Sequence, residues 1–143
     1  MSNRTDIVKG LVTKLGLING STPYKTKLFP QNITHKLKFW DEVMDFPYVC
    51  VVAGYETREY LPSSFKWGYL NVAIKLYVHG EDALEQLESL ISDVELVISE
   101  NERFEIGDGN ATTEILVTSI VTDEGLLTPY GVGEINVQVR YPA

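Results

Sequence analysis

From Glu134 to Tyr141 the chain alternates polar and apolar residues without a break. Successive side chains of an extended strand point to opposite faces, so alternation over this length specifies a half-buried strand and its facing. Ile135, Val137, Val139 and Tyr141 are set toward a core. Glu134, Asn136, Gln138 and Arg140 are set toward a second, polar surface. A terminal strand patterned this well is structural, and the fold closes on it. Ahead of it, Thr122 to Gly133 is rich in turn formers and reads as a connector.

A second strand is equally plain. Leu70, Val72, Ile74, Leu76 and Val78 take one face, Tyr69, Asn71, Ala73, Lys75 and Tyr77 the other, and His79-Gly80 ends the run. Residues 81–100 then carry Leu84, Leu87, Leu90, Ile91, Val94 and Ile98 at helical spacing. Ile7, Val8, Leu11, Val12 and Leu15 mark an N-terminal helix, with Ser2 or Asn3 as its cap and Gly16 or Gly20 at its end. Residues 19–37 show no period and read as a long connector. Lys38–Val43 reads as one helical turn, Val49–Ala53 as a buried strand and Tyr55–Pro62 as an edge strand or loop arm. Phe104–Ile106 is a short strand candidate, Asp108–Asn110 a turn, and Ile115–Val121 a strand. Helix, strands, helix, strands within 143 residues predicts one α+β domain over residues 1–143. Its sheet is mostly antiparallel or mixed, with two main helices packed on one face.

Charge divides the chain. Residues 1–75 carry ten Lys/Arg and six Asp/Glu, whereas residues 76–143 carry two against fourteen, giving the net charge of −8. That polarity suits stacking or self-association between oppositely charged surfaces. The single Cys50 excludes an internal disulfide and a CxxC zinc site. No apolar leader opens the chain, and no run approaches the ~20 apolar residues of a membrane span, so folding in a reducing cytoplasm without a membrane is expected.

Reactive constellations are scarce. His35 and His79 have no nucleophile signature beside them, and His79 reads as a turn residue. Asp41, Glu42 and Asp45 face solvent on a short turn, and a metal-dependent hydrolase built on them is a remote reading. Asp108-Gly109-Asn110 lacks the spaced ligands of a calcium loop, and no phosphate-cradling glycine motif is present. Lys25, Lys27, Lys36 and Lys38 alternate with Tyr24, Phe29 and Phe39, but the acidic half opposes nucleic-acid binding. Tyr55, Tyr60, Phe65, Trp67, Tyr69 and Tyr77, beside Arg58, are of the types enriched at protein interfaces, and part of this cluster belongs to the core.

Two stretches resemble the tail terminator (tail completion, minor tail) family of long-tailed bacteriophages. The first runs through Gly54-Tyr55-Glu56, Leu61-Pro62 and Trp67-Gly68-Tyr69-Leu70 into the strand and acidic helix ending at Ile98. The second is Ile120-Val121-Thr122-Asp123-Glu124-Gly125-Leu126-Leu127-Thr128-Pro129-Tyr130-Gly131-Val132, leading into the closing strand. The resemblance covers about two thirds of the chain, from Phe39 onward. It implies a virion structural protein of the tail or neck, assembled in the host cytoplasm, with no enzymatic activity and no cofactor or metal. Six copies would ring the end of the tail tube, stop its polymerisation and offer a surface to the head–tail connector, while DNA passes through unbound. On that basis Tyr55, Arg58, Tyr60, Phe65 and Trp67 are the expected contact arm toward a neighbouring subunit or the tube. Glu81, Glu85, Glu88, Glu95 and Glu105 are the expected channel-facing acids. The rival readings are a head-completion or neck connector protein and a soluble small-ligand-binding module with its pocket between sheet and helices.

Overall fold

The computed structural model describes residues 3–143, with Asp108 through its backbone only. Its elements are α1 (Asn3–Leu15), β1 (Ile33–Thr34), β2 (Tyr48–Tyr60), β3 (Lys66–His79), α2 (Ala83–Glu100), β4 (Glu114–Thr122) and β5 (Tyr130–Pro142). Short 3-10 turns lie at Pro30–Asn32, Trp40–Glu42, Pro62–Ser64 and Gly107–Gly109. The sheet order is β1-β2-β3-β5-β4. Only β1 runs parallel to its neighbour; β2, β3, β5 and β4 alternate in direction.

The last strand is therefore a central one. It pairs with β3 from His79↔Tyr130 to Trp67↔Pro142, which forces the two alternating patterns into phase. Leu70, Val72, Ile74 and Leu76 lie beside Val139, Val137, Ile135 and Gly133 on one buried face. α2 covers that face with Leu87, Leu90, Val94, Val97 and Ile98, and α1 adds Ile7, Val8, Leu11 and Leu15 against Val49 and Val51. Each such side chain contributes roughly 1.5–3 kcal/mol on burial, so this layer carries most of the stability. Close approach of α2 at the top of the sheet depends on Gly131, where a Cβ would sit 2.7 Å from Val78 and 3.2 Å from the Ala83 carbonyl.

Several expectations change. β2 is one continuous strand, not a buried strand followed by a separate arm. A bulge between Ala53 and Glu56 lets it continue past Gly54, and β4 bulges between Val117 and Ser119. Bulges bend and twist the strands that carry them. Residues 19–37 contain β1 and an isolated Asn19↔Lys27 bridge, and Asp93 holds the segment down: its buried carboxylate accepts from the backbone N–H of Lys25 and of Thr26 (2.7 Å). Phe104–Ile106 forms only a Glu105↔Ala111 bridge. Leu84 is 48% exposed, so the apolar stripe of α2 begins at Leu87. Asn3 lies inside α1, Gly16 follows its last residue, and Ser2 lies outside the described residues.

Candidate functional site

The hairpin joining β2 to β3 forms an arm that stays in the sheet as far as Trp67, paired with Pro142, and Lys66, whose carbonyl accepts from Ala143, so that only its Tyr60–Phe65 tip passes beyond β5. Its tip is closed by Leu61 N–H donating to the Phe65 carbonyl at 2.8 Å. Left-handed backbone at Ser63 and Ser64 makes the turn. Tyr60 at the tip is 73% exposed, and Tyr55 at the bulge is 70% exposed. Phe65 meets Trp67 edge-on with ring centroids 5.0 Å apart. The guanidinium of Arg140 stacks on the other side of the hairpin root, 4.5 Å from the Trp67 ring.

The structure divides the five expected arm residues. Phe65 and Trp67 form one cluster, tied through Arg140 to Glu114 of β4 at 3.6 Å. Arg58 belongs to another, on the helix-covered face: its Nε donates to Glu56 at 2.6 Å, and Glu56 also accepts from the Tyr141 hydroxyl at 2.6 Å. Arg4 of α1 stands 3.8 Å from the same carboxylate, whose side chain is only 5% exposed. This hydrogen bond to Glu56 raises the Arg58 pKa, and burial, followed by Glu56, pushes Tyr141 up to about 12. Tyr55 and Tyr60 join neither cluster. Arg58 and Glu56 thus hold the root of the arm, while Tyr55, Tyr60 and Phe65 are its exposed aromatics. Tyr77, grouped with them by sequence, lies instead in a second core with Val43, Tyr48 and Cys50.

α2 presents the acids. Glu85, Glu88 and Glu95, with Glu81 just before the helix, are all exposed, and their spacing sets them in one stripe. Ion pairs among the described residues involve none of them. Glu105 is also exposed but sits beyond the helix end, in the bridge with Ala111, apart from the stripe.

The other sheet face, free of helices, is polar but internally neutralised. Lys75 pairs with Glu134, which lowers the Glu134 pKa, and Asn136 donates to the same carboxylate. A surface trough of about 380 Å³ crosses this face over Val52, Ala53, Ala73 and Asn136. Side chains fill the core between sheet and helices, and at its margin a surface cleft of about 260 Å³ lies between α1 (Arg4, Val8, Lys9) and β2 (Ala53), with His35 beside it.

Groups once weighed as chemistry hold structure. His79 is wedged between Phe46 and Tyr130, with centroids at 5.6 and 4.6 Å. Glu42 folds back to accept from the Phe39 N–H, and Asp45 accepts from Asn32. No three His, Cys, Asp or Glu side chains gather into a metal-binding group among the described residues. Cys50 is buried, and burial raises its thiol pKa. No described helix is long and apolar enough to cross a membrane. What sequence reasoning missed is the β4 edge, where Leu116, Val117, Ile120 and Val121 are all exposed; two uncharged apolar runs without alternation, Ile115–Val117 and Ile120–Val121, were its signal.

Comparison with known proteins identifies the family. The family model described as "Bacteriophage Tail Tube Terminator Protein" matches residues 1–143. The tail tube terminator protein p142 of Escherichia phage T5 is 38% identical over 153 residues, covering 99% of this chain and 94% of that protein. A chain from the virion of the native gene transfer agent particle superposes with a TM-score of 0.61 at 7% identity, covering 95% of this chain and 98% of that one, a likeness of fold.

Proposed function

The chain belongs to the bacteriophage tail tube terminator family, and from that premise we propose that it acts as a closed ring, a hexamer, seated on the last ring of the tail tube. The ring ends tube polymerisation and gives the head–tail connector its joining surface, in a virion assembled in the host cytoplasm. No bond is made or broken in this role. The observation that carries it is the aromatic arm: Tyr55, Tyr60 and Phe65 are exposed on a hairpin whose root is fixed by Glu56, Arg58 and Tyr141. A rigid root and an exposed aromatic tip are what a contact element needs, because little conformational entropy is then lost on docking. Trp67 and Arg58 support the arm from opposite faces.

The acidic stripe of Glu81, Glu85, Glu88 and Glu95, and separately Glu105, are assigned to the passage for DNA. What supports this is their exposure without a neutralising cation. Like charge keeps phosphates moving and not bound.

Native mass spectrometry and negative-stain imaging of the protein, alone and with tail tubes, test the ring. A sixfold ring, free or on tube ends, is the expected result, with Tyr60→Ala/Phe65→Ala folded but assembling poorly. Monomers that leave tube ends bare and growing overturn the reading.

A further inference from the structure

Two strands of the sheet keep an unpaired edge. β4 is outermost on one side, and on the other β1 covers β2 only at Val49 and Cys50, leaving Val51–Tyr60 without a neighbouring strand, with the Gly54 carbonyl accepting from Arg4. Native sheets usually blunt such edges with lysine, proline or short strands. Of the edge-blunting devices β4 has only its bulge between Val117 and Ser119: from Ile115 to Val121 it carries no charge and no proline. Leu116 and Val121 project on the helix-free face, Val117 and Ile120 on the other, and Val121 is 57% exposed. An edge apolar on both faces is built to be covered.

Resting on the ring reading, we propose that β4 of one copy pairs with the Val51–Tyr60 edge of the next, so that the sheet continues from subunit to subunit. Three observations commit the edge to a second copy of this chain. First, β2 and β4 run in opposite directions across the sheet. A head-to-tail repeat therefore joins them antiparallel, the pairing already used inside the subunit. Second, the nine residues of β4 match the open part of β2 in length. Third, the two sides differ in charge. Arg4, Lys9 and Lys14 of α1 and Arg58 of β2 outnumber Asp6, Glu56 and Glu59 at the β1–β2 side, whereas Asp123 and Glu124 follow β4, whose Glu114 is paired with Arg140. Like sides meet unfavourably and unlike sides favourably, which gives the repeat its direction. The contact is heterologous, and such contacts close into rings when the rotation allows. The arm, continuous with the open β2 edge, then lies against the neighbour. The pairing holds whichever face of the sheet turns inward.

Cysteine pairs test it. Leu116→Cys, Ser119→Cys or Val121→Cys is combined in turn with Thr57→Cys or Glu59→Cys. All five positions project on the helix-free face, where cross-strand partners come within disulfide reach. Cys50 is buried, so the wild type is the control. On mild oxidation of assembled protein, at least one combination is expected to give a covalent ladder ending at the closed ring. Rings that image normally yet give no ladder in any combination overturn edge pairing and leave the ring reading intact. A wild type that never forms rings, alone or on tubes, overturns both. As a second arm, Leu116→Lys/Val121→Lys is expected to keep its melting temperature and lower ring yield at least tenfold, while Leu116→Thr/Val121→Thr assembles. Undiminished rings with both lysines in place equally overturn the pairing.

Discussion

The hydroxyl of Tyr141, in the last strand, reaches across β3 to donate a 2.6 Å hydrogen bond to Glu56 in β2. Gly68 of β3 makes the reach possible. It is the register partner of Tyr141, and a Cβ there would sit 2.7 Å from the ring. The end of the chain is thereby bolted to the root of the exposed arm. Core packing and the presentation of a contact surface are one structural problem, solved by three residues on three strands.

Tyr141→Phe removes the donor and leaves a nearly buried carboxylate short of a partner, at a cost of about 1–3 kcal/mol. The neighbouring control is Tyr69→Phe, whose hydroxyl donates to Glu59 in an exposed pair and is expected to cost under ~1 kcal/mol. Urea denaturation of the two variants measures the difference. Equal losses would show that the Tyr141–Glu56 bond is not a special anchor.

Tyr141 and Tyr77 also set an alkaline limit. Burial is the leading cause that pushes both up to about 12, against about 10 in an unfolded chain. The folded state holds these protons more tightly. Their stabilising contribution is therefore complete below about pH 10 and is lost as pH rises toward 12. Glu134 acts in the opposite sense: its lowered pKa gives stability above the ordinary glutamate range that is lost on acidification. Urea midpoints at pH 9 and pH 11 are expected to fall steeply for the wild type and less steeply for Tyr141→Phe.

Arg58 and Tyr60 lie two residues apart on the arm, and the structure predicts different phenotypes. Arg58→Ala uncovers Glu56 and lowers stability by about 1–3 kcal/mol. Tyr60→Ala removes a ring that is already in solvent, and stability moves by less than ~0.5 kcal/mol. Assembly is lost in both, but only Tyr60→Ala loses it with an unchanged melting curve. A Tyr60→Ala protein that assembles normally removes the tip from the contact surface.

How legible all this was in the sequence depended on whether one strand carried its own evidence. β5 alternates in burial through its full length and β3 from Gly68 to Leu76, so their facing followed from side-chain periodicity; at the end of β3 Tyr77 and Val78 are both buried, which periodicity does not announce. β2 does not alternate, because the bulge at Gly54 and Tyr55 breaks its phase; its two halves read as separate objects. β1 has two residues and exists only because β2 lies beside it, and no local pattern announces such a strand. The connector before it looked free since its anchor, Asp93, lies far along the chain on a helix where a carboxylate reads as solvated. Glu85, Glu88 and Glu95 lie exposed on one side of α2 with Glu81 just ahead of it, and Glu105 lies apart. The arm was only half legible: exposure of Tyr55 and Tyr60 was expected, but the division between Arg58 and Trp67 depends on which face each residue takes after the bulge.

Asp93→Asn tests that hidden anchor. The carboxylate accepts from two backbone N–H groups at once, and an amide turns one of its acceptors into a donor facing a donor. A loss of about 1–3 kcal/mol is expected, with the amides of Lys25 and Thr26 exchanging hydrogen faster while β3 and β5 keep their protection. Uniform loss of protection across the sheet would instead make Asp93 part of the global core.

The acidic stripe offers the sharpest separation between fold and function. Glu85 lies in the first turn of α2, where an acid is favoured by about 0.3–1 kcal/mol, and lysines at 85 and 88 would repel one another much as the two acids do. Glu85→Lys/Glu88→Lys/Glu95→Lys is therefore expected to fold with a loss of no more than ~1 kcal/mol, since all three side chains are already exposed. Rings should still form. If the stripe walls the DNA passage, the lysine rings retain duplex DNA that wild-type rings release, and retention falls steeply with added salt as phosphate contacts are screened. Filter binding of labelled duplex to assembled rings, measured from low to physiological salt, decides it. Lysine rings as indifferent to DNA as wild-type rings would place the stripe away from the passage, and the helix-free face of the sheet would inherit that role.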